Sequence, residues 1–120
     1  MPNYTTADIR NIALVGGAGS GKSTLMEAIL HTTGTIGSMG SVEKGDTISD
    51  FTEEEKGHGC SFFCSVMNCD YKGKHINVVD SPGSPDFIGH ALSVLPAVET
   101  LAVVINASAG VESLLSLIHI

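Results

Sequence analysis

Basic residues are scarce in this 120-residue chain: six Lys and Arg stand against 13 Asp and Glu, for a formal net charge of −7. That balance argues against a general nucleic-acid surface, and no direct sequence-specific nucleic-acid binding is expected. Cysteine is rare as well. Cys60, Cys64 and Cys69 are odd in number and never spaced C-x-x-C, which argues against zinc and fits a reducing compartment. Met1 to Asp8 lacks the basic start and apolar stretch of a signal peptide. No apolar run approaches the ~20 residues that a membrane span needs. The chain therefore reads as soluble and cytoplasmic, one domain at most, with 42% hydrophobic residues to build a core.

Glycine is what the chain has in quantity, and it is concentrated where it matters. Gly16-Gly17-Ala18-Gly19-Ser20-Gly21-Lys22-Ser23-Thr24 fits the phosphate-loop pattern G-x-x-x-x-G-K-[ST]. Such a motif needs a strand running in and a helix running out. Ile12 to Val15 reads as a strand apolar on both faces, as a buried parallel strand is. From Ser23, the residues Leu25, Met26, Ile29 and Leu30 recur at helical spacing, with Gly34 as the stop and His31 near the helix end. Glycines let successive N–H groups wrap an anion at the positive end of a helix. Lys22 would then reach the β- and γ-phosphates, and the Ser23 hydroxyl would ligate Mg²⁺. A glycine-rich turn before an ordinary helix is the bland alternative. Lys-Ser directly after the last glycine, with both flanks correct, speaks for a nucleotide triphosphate site.

Thr33 to Gly59 shows little periodicity and six glycines, so it is expected to be mostly loop, with one short helix around Thr52 to Lys56. Beside a phosphate site it reads as a segment ordered by nucleotide, a plain surface insertion being the alternative. Glu53 to Glu55 reads as a solvated face. Ser61 to Asn68 is expected to be a strand with Phe62, Cys64 and Val66 on one face. Asp70 to Lys74 would form the turn and His75 to Val79 the antiparallel return. It ends in Asp80-Ser81-Pro82-Gly83, where the acid can hold Mg²⁺ and the Gly83 N–H can meet the terminal phosphate. Asp86 to Val98 is predicted as a second helix, ended or kinked by Pro96, and Leu101 to Ala107 as another buried strand. Strand, helix, loop, hairpin, helix, strand is the first part of an α/β nucleotide-binding domain.

With these segments in line, residues 9–112 resemble the guanine-nucleotide domain of translational GTPases, most closely elongation factor G and its elongation-factor-G-like paralogues. The resemblance rests on the phosphate loop, Asp50-Phe51-Thr52-Glu53-Glu54-Glu55-Lys56, Asp80-Ser81-Pro82-Gly83-Ser84-Pro85-Asp86-Phe87 and Asn106-Ala107-Ser108-Ala109-Gly110-Val111-Glu112. It implies an incomplete phosphate-loop NTPase fold that binds GTP or GDP with Mg²⁺, hydrolyses GTP and acts on the ribosome in translation elongation. Gly17, Ala18, Gly19, Ser20, Gly21, Lys22, Ser23, Thr24 and Gly83 would hold the nucleotide, and Ser23, Ser61 and Asp80 the metal. Asp50 to Ser61 would be the first switch and Asp80 to Phe87 the second. Ser61 stands where the family has a metal-ligating threonine, a mild change that keeps the hydroxyl. Ser84 stands where the family has the histidine that positions the attacking water, and it is too short to do that work. No residue is therefore assigned a catalytic role. His58 and His90 read as exposed histidines rather than substitutes.

The family's guanine-reading Asn-Lys-x-Asp loop does not occur in these 120 residues. Residues 113–120, Ser-Leu-Leu-Ser-Leu-Ile-His-Ile, also depart from the polar helix the resemblance implies there. The sequence is read as residues 1–112 of a GTP-binding domain followed by a foreign, frameshifted or truncated tail, or by a short packed helix. Three readings stand beside the hydrolysing factor: a nucleotide-dependent ribosome-binding switch with weak hydrolysis, an ATPase of another phosphate-loop family, and an inactive piece.

Overall fold

A computed structural model describes residues 3–41, 44, 46, 48 and 63–110. The expected helix at 52–56, Asp50, Glu53 to Glu55, His58, Cys60, Ser61, Phe62 and the 113–120 tail lie outside the described residues.

Among the described residues four strands form one sheet. They are β1 (Ile9–Val15), β2 (Ser65–Tyr71), β3 (Lys74–Asp80) and β4 (Thr100–Val103), in the order β2-β3-β1-β4. β1 runs parallel to both β3 and β4, while β2 and β3 form the antiparallel hairpin. Helix α1 (Lys22–Thr32) lies against the sheet beside β3, and the shorter α2 (Ile88–Val94) follows the second turn. Ala13, Leu14 and Val15 are consecutive and all buried, because the central strand is covered on both sides. Leu14 packs with Met26, Leu30, Cys69 and Val78. Ala13 packs with Val79 and Val94, and Val15 with Ile88 and Leu95. Each fully buried aliphatic side chain contributes roughly 1.5–3 kcal/mol. Together they fix the ends of β1 and β3, from which the site projects.

α1 ends as the sequence indicates. Gly34 takes a left-handed φ of 76°, its N–H bonds the His31 carbonyl at 3.0 Å, and Thr35 N–H bonds the Leu30 carbonyl at 2.9 Å. This is a glycine-terminated helix end with its last carbonyls satisfied.

The expected bounds of the hairpin, the second helix and the last strand are corrected. β2 starts later and runs further than expected, from Ser65 to Tyr71, β3 is longer at both ends, and their turn is tighter: Lys72 and Gly73 alone make it, with φ of 46° and 76°, the two left-handed positions of a two-residue turn. The face expected to carry Cys64 and Val66 is the less buried one. Ser65 and Cys69 are buried and Val66 is 63% exposed, because Met67 opposes Val78 on the face that α1 covers. Cys64 turns to the opposite cluster, with Ala13, Val79 and Val94.

The helix expected over Asp86 to Val98 is in fact three pieces: a 3₁₀ turn at Pro85–Phe87, α2, and a 3₁₀ turn at Leu95–Ala97. Pro96 has no N–H for an α-helical bond and its ring crowds the preceding turn, so the chain tightens there instead. β4 begins one residue early and stops at Val103, short of the expected Ala107. Val104 N–H still reaches the Val15 carbonyl at 2.8 Å. The Asn106 side chain then accepts from Ser108 N–H at 2.9 Å and Ser108 Oγ at 2.7 Å, which bends the backbone out of the sheet.

Candidate functional site

The phosphate loop starts where β1 ends. Gly16 passes so close to the chain just after β4 that a Cβ there would collide with the Val104 carbonyl. Gly19 and Gly21 hold φ of 72° and 97°, which only glycine adopts without strain, and Gly21 is the N-cap of α1. Ser20 N–H closes the loop on the Gly17 carbonyl at 3.2 Å. Ser20 Oγ is buried without a hydrogen-bond partner among the described residues. A buried hydroxyl of this kind, in a loop at a helix N-terminus, suits a ligand rich in acceptor oxygens.

Lys22 is buried at 6% exposure, and its Nζ donates to the Gly17 carbonyl at 2.8 Å. Its ammonium is thus folded back over the loop. Ser23, on the first turn of α1, donates from Oγ to Asp80 Oδ2 at 2.7 Å. Asp80 ends β3 and is 1% exposed. Two hard oxygen donors meet here, and Mg²⁺ takes one or two carboxylates with hydroxyl, phosphate and water oxygens around it. Among the described residues no three His, Cys, Asp or Glu side chains gather, so this pair differs from a self-sufficient protein metal cage.

The turn after β3 folds over the loop. Ser81 donates both its N–H, at 3.3 Å, and its hydroxyl, at 2.8 Å, to the Leu14 carbonyl. Pro82 is fully buried, and a Cβ on Gly83 would lie 2.5 Å from Lys22 Nζ and 2.6 Å from Ala18 N. Gly83 is therefore in backbone contact with the phosphate loop, an approach that only glycine permits. Burial and then the Asp80 charge push the Cys64 thiol above its ordinary value.

The structure thus brings together Gly17, Ala18, Gly19, Ser20, Gly21, Lys22, Ser23, Asp80 and Gly83, while Thr24 is exposed on α1. Ser61 lies outside the described residues. Ser84 is half-buried, and its carbonyl accepts the Phe87 N–H at 3.0 Å, opening the 3₁₀ turn. His90 stays exposed, with its ring 5.8 Å from Phe63 and its carbonyl bonded by Ser93 Oγ. Sequence reasoning missed Ser81, which pins the second turn to β1, and Glu27, a carboxylate 1% exposed on α1. The only signal for Glu27 was its place one helical turn after Ser23, on the side where Met26 and Leu30 are apolar.

The family described as the elongation factor Tu GTP binding domain matches residues 7–116. The chain belongs to that family. It is 36% identical over 111 residues to the mitochondrial ribosome-releasing factor 2 of Rattus norvegicus, covering 92% of this chain and 14% of that protein. It is 36% identical over 107 residues to an elongation factor G-like protein of Synechocystis, covering 89% of this chain and 16% of that protein. A solved structure from Thermus thermophilus superposes with a TM-score of 0.85 at 41% identity, over 90% of this chain and 16% of that one. The chain thus spans less than a fifth of the length of these relatives. The phosphate-loop α/β fold and the translational-GTPase resemblance read from the sequence are borne out. Among the described residues no helix is long and apolar enough to cross a membrane.

Proposed function

We propose that this chain carries the phosphate- and metal-binding part of a GTP-binding, GTP-hydrolysing translation factor of the elongation factor G type, working on the ribosome. The bond between Ser23 on α1 and Asp80 at the end of β3 carries the reading. It joins the two elements that a phosphate-loop GTPase uses to hold Mg²⁺.

In that role Lys22 leaves the Gly17 carbonyl for the outer phosphates, and the loop N–H groups from Gly17 to Ser23 wrap the oxygens between them. Ser20 Oγ gains the partner it lacks, and Thr24 follows on the same first turn. Ser23 and Asp80 hold Mg²⁺, with Ser61 supplying a further hydroxyl in the triphosphate state. The bound ion neutralises phosphate charge and fixes the phosphate geometry. Gly83 faces Lys22 and Ala18 across a contact too close for a side chain, so its N–H answers to whatever occupies the phosphate end of the site. Names of the relatives support a ribosomal partner, and a cytoplasmic setting is part of the proposal. The rat relative is named as mitochondrial, so cell fractionation with a detectable copy tests that part directly.

The test is equilibrium binding of a fluorescent GTP analogue to the full-length protein with and without Mg²⁺, with GDP and ADP as competitors. Tight Mg²⁺-dependent binding, displaced by GDP and not by ADP, is expected. Equal displacement by ADP would defeat the guanine reading, and binding indifferent to Lys22→Ala would defeat the site.

A second reading has its own observation. Ser84 occupies the position after Pro82-Gly83 where the family carries a histidine, and its short side chain offers no imidazole to the attacking water. The protein would then be a nucleotide-dependent ribosome-binding switch with slow hydrolysis. Under it, Ser84→His raises ribosome-stimulated phosphate release by tenfold or more. Brisk wild-type turnover with ribosomes excludes it.

A further inference from the structure

α1 carries a second polar tether that the phosphate chemistry does not use. Glu27 lies four residues after Ser23, hence on the same helix face one turn further on. It is 1% exposed, which is rare for a carboxylate unless it is fully bonded. Its two oxygens each accept one backbone N–H: Oε2 from Gly40 at 2.9 Å and Oε1 from Ile48 at 2.5 Å. These are charge-assisted bonds, of the stronger kind.

The two amides are eight residues apart, and between them Ser41 gathers bonds from Lys44 and Asp46. Asp46 Oδ1 accepts the Ser41 N–H at 2.6 Å. The Lys44 and Asp46 N–H groups return to the Ser41 carbonyl at 3.1 and 3.4 Å. Gly40 and Ile48 thus both dock on Glu27. Ile48 is two residues before Asp50, where the sequence resembling the first switch begins. One face of α1 therefore holds the turn after β3 through Ser23 and Asp80, and Ile48 through Glu27.

We propose that Glu27 is a positioning residue for the triphosphate state: it holds the Gly40 and Ile48 amides on α1, one helical turn from Ser23, and so sets where the sequence leading to Ser61 departs. The role rests on the guanine-nucleotide reading above. Glutamine cannot replace it fully, since its amide has one acceptor oxygen and would turn an NH₂ group toward the second N–H. Alanine removes both bonds and leaves two amides unpaired.

The test compares the wild-type full-length protein with Glu27→Gln and Glu27→Ala in two measurements. The first is amide hydrogen exchange over residues 40–48 without nucleotide, which is expected to speed up at least tenfold in both variants. The second is the ratio of dissociation constants for a non-hydrolysable GTP analogue with Mg²⁺ and for GDP. Loss of one charged bond corresponds to about a tenfold change. Triphosphate binding is therefore expected to weaken about tenfold while GDP binding stays within threefold. Unchanged exchange overturns the proposal, as does equal weakening of both nucleotides, which a merely structural role would produce. The near-isosteric Glu27→Gln guards against a variant that fails to fold. Wild type that binds neither nucleotide would overturn the guanine-nucleotide reading and this role with it. Wild-type binding with an unchanged ratio in both variants overturns the Glu27 role alone.

Discussion

Ser23 Oγ and Asp80 Oδ2 lie 2.7 Å apart although 57 residues separate them in the chain. Ser23 is placed by the first turn of α1, and Asp80 by the last residue of a strand that runs parallel to β1. Both elements leave the same end of the sheet, so the register Leu14↔Asp80 carries the carboxylate to the mouth of the phosphate loop. Ligands gather at this end of parallel sheets because strand ends and helix N-termini converge there.

Ser23→Ala and Asp80→Asn are therefore expected to act through the metal rather than through the fold. In the proposed site each weakens Mg²⁺-dependent GTP binding by tenfold or more, since a bond to a charged group is worth about 1.5–3 kcal/mol. Titrating Mg²⁺ at fixed nucleotide separates the effects: the variants need more metal, and binding measured in chelator changes little. Equal losses with and without metal would show that the pair holds the loop together instead.

Gly83→Ala tests the contact between the second turn and the phosphate loop. The added methyl would meet Lys22 Nζ, Ala18 N and Gly17 C within 2.6 Å, and two of these are backbone atoms that cannot step aside. Overpacking of this kind costs about 1–3 kcal/mol. A lower unfolding midpoint and a Lys22 ammonium more open to amine-modifying reagents are the expected results. Unchanged Lys22 reactivity would mean that the turn does not rest on the loop in solution.

Legibility followed the kind of signal each residue gives. Ile12 to Val15 was readable because a strand covered on both faces needs an unbroken apolar run, and the glycines and Lys-Ser that follow have few other uses. The rest of β1 was hidden by polarity: Arg10 turns back to the Ala7 carbonyl at 2.9 Å, and Asn11 bonds Glu99 and Asn77 across the sheet. The hairpin phase was not decided by residues 61–68, where apolar groups occupy both parities. It was set by Val78 facing α1. Glu27 escaped notice because its carboxylate is satisfied by backbone amides of a loop, which no side-chain pattern announces.

The N-terminal tether predicts an acid dependence. Lys74 donates to Asp8 at 2.9 Å and the Thr5 hydroxyl at 2.7 Å, and these bonds hold the Asp8 carboxyl down at about 2. The folded value lies below the unfolded one of about 3.9. The contribution is therefore present in full above roughly pH 4 and is lost as pH falls toward 2. Unfolding midpoints measured from pH 5 to 2 are expected to fall more steeply for wild type than for Asp8→Asn, and the difference is expected to shrink at high salt. Parallel curves would show that the pair contributes nothing.

Among the described residues β4 closes the sheet on one side. It pairs with β1 alone among the described residues, and Leu101, Val103 and Ile105 are 38%, 49% and 47% exposed. An edge with unpaired backbone groups and apolar side chains is a template for a second strand. The 120-residue chain is accordingly expected to be marginally stable and to self-associate as its concentration rises. Val103→Lys places a charge on that edge, where a surface substitution changes stability by about 0.5 kcal/mol or less. It is expected to suppress association in sedimentation velocity while leaving the unfolding midpoint nearly in place. A wild-type chain that stays monomeric at high concentration and melts cooperatively within the mesophile range of about 45–65 °C would refute this account of the edge.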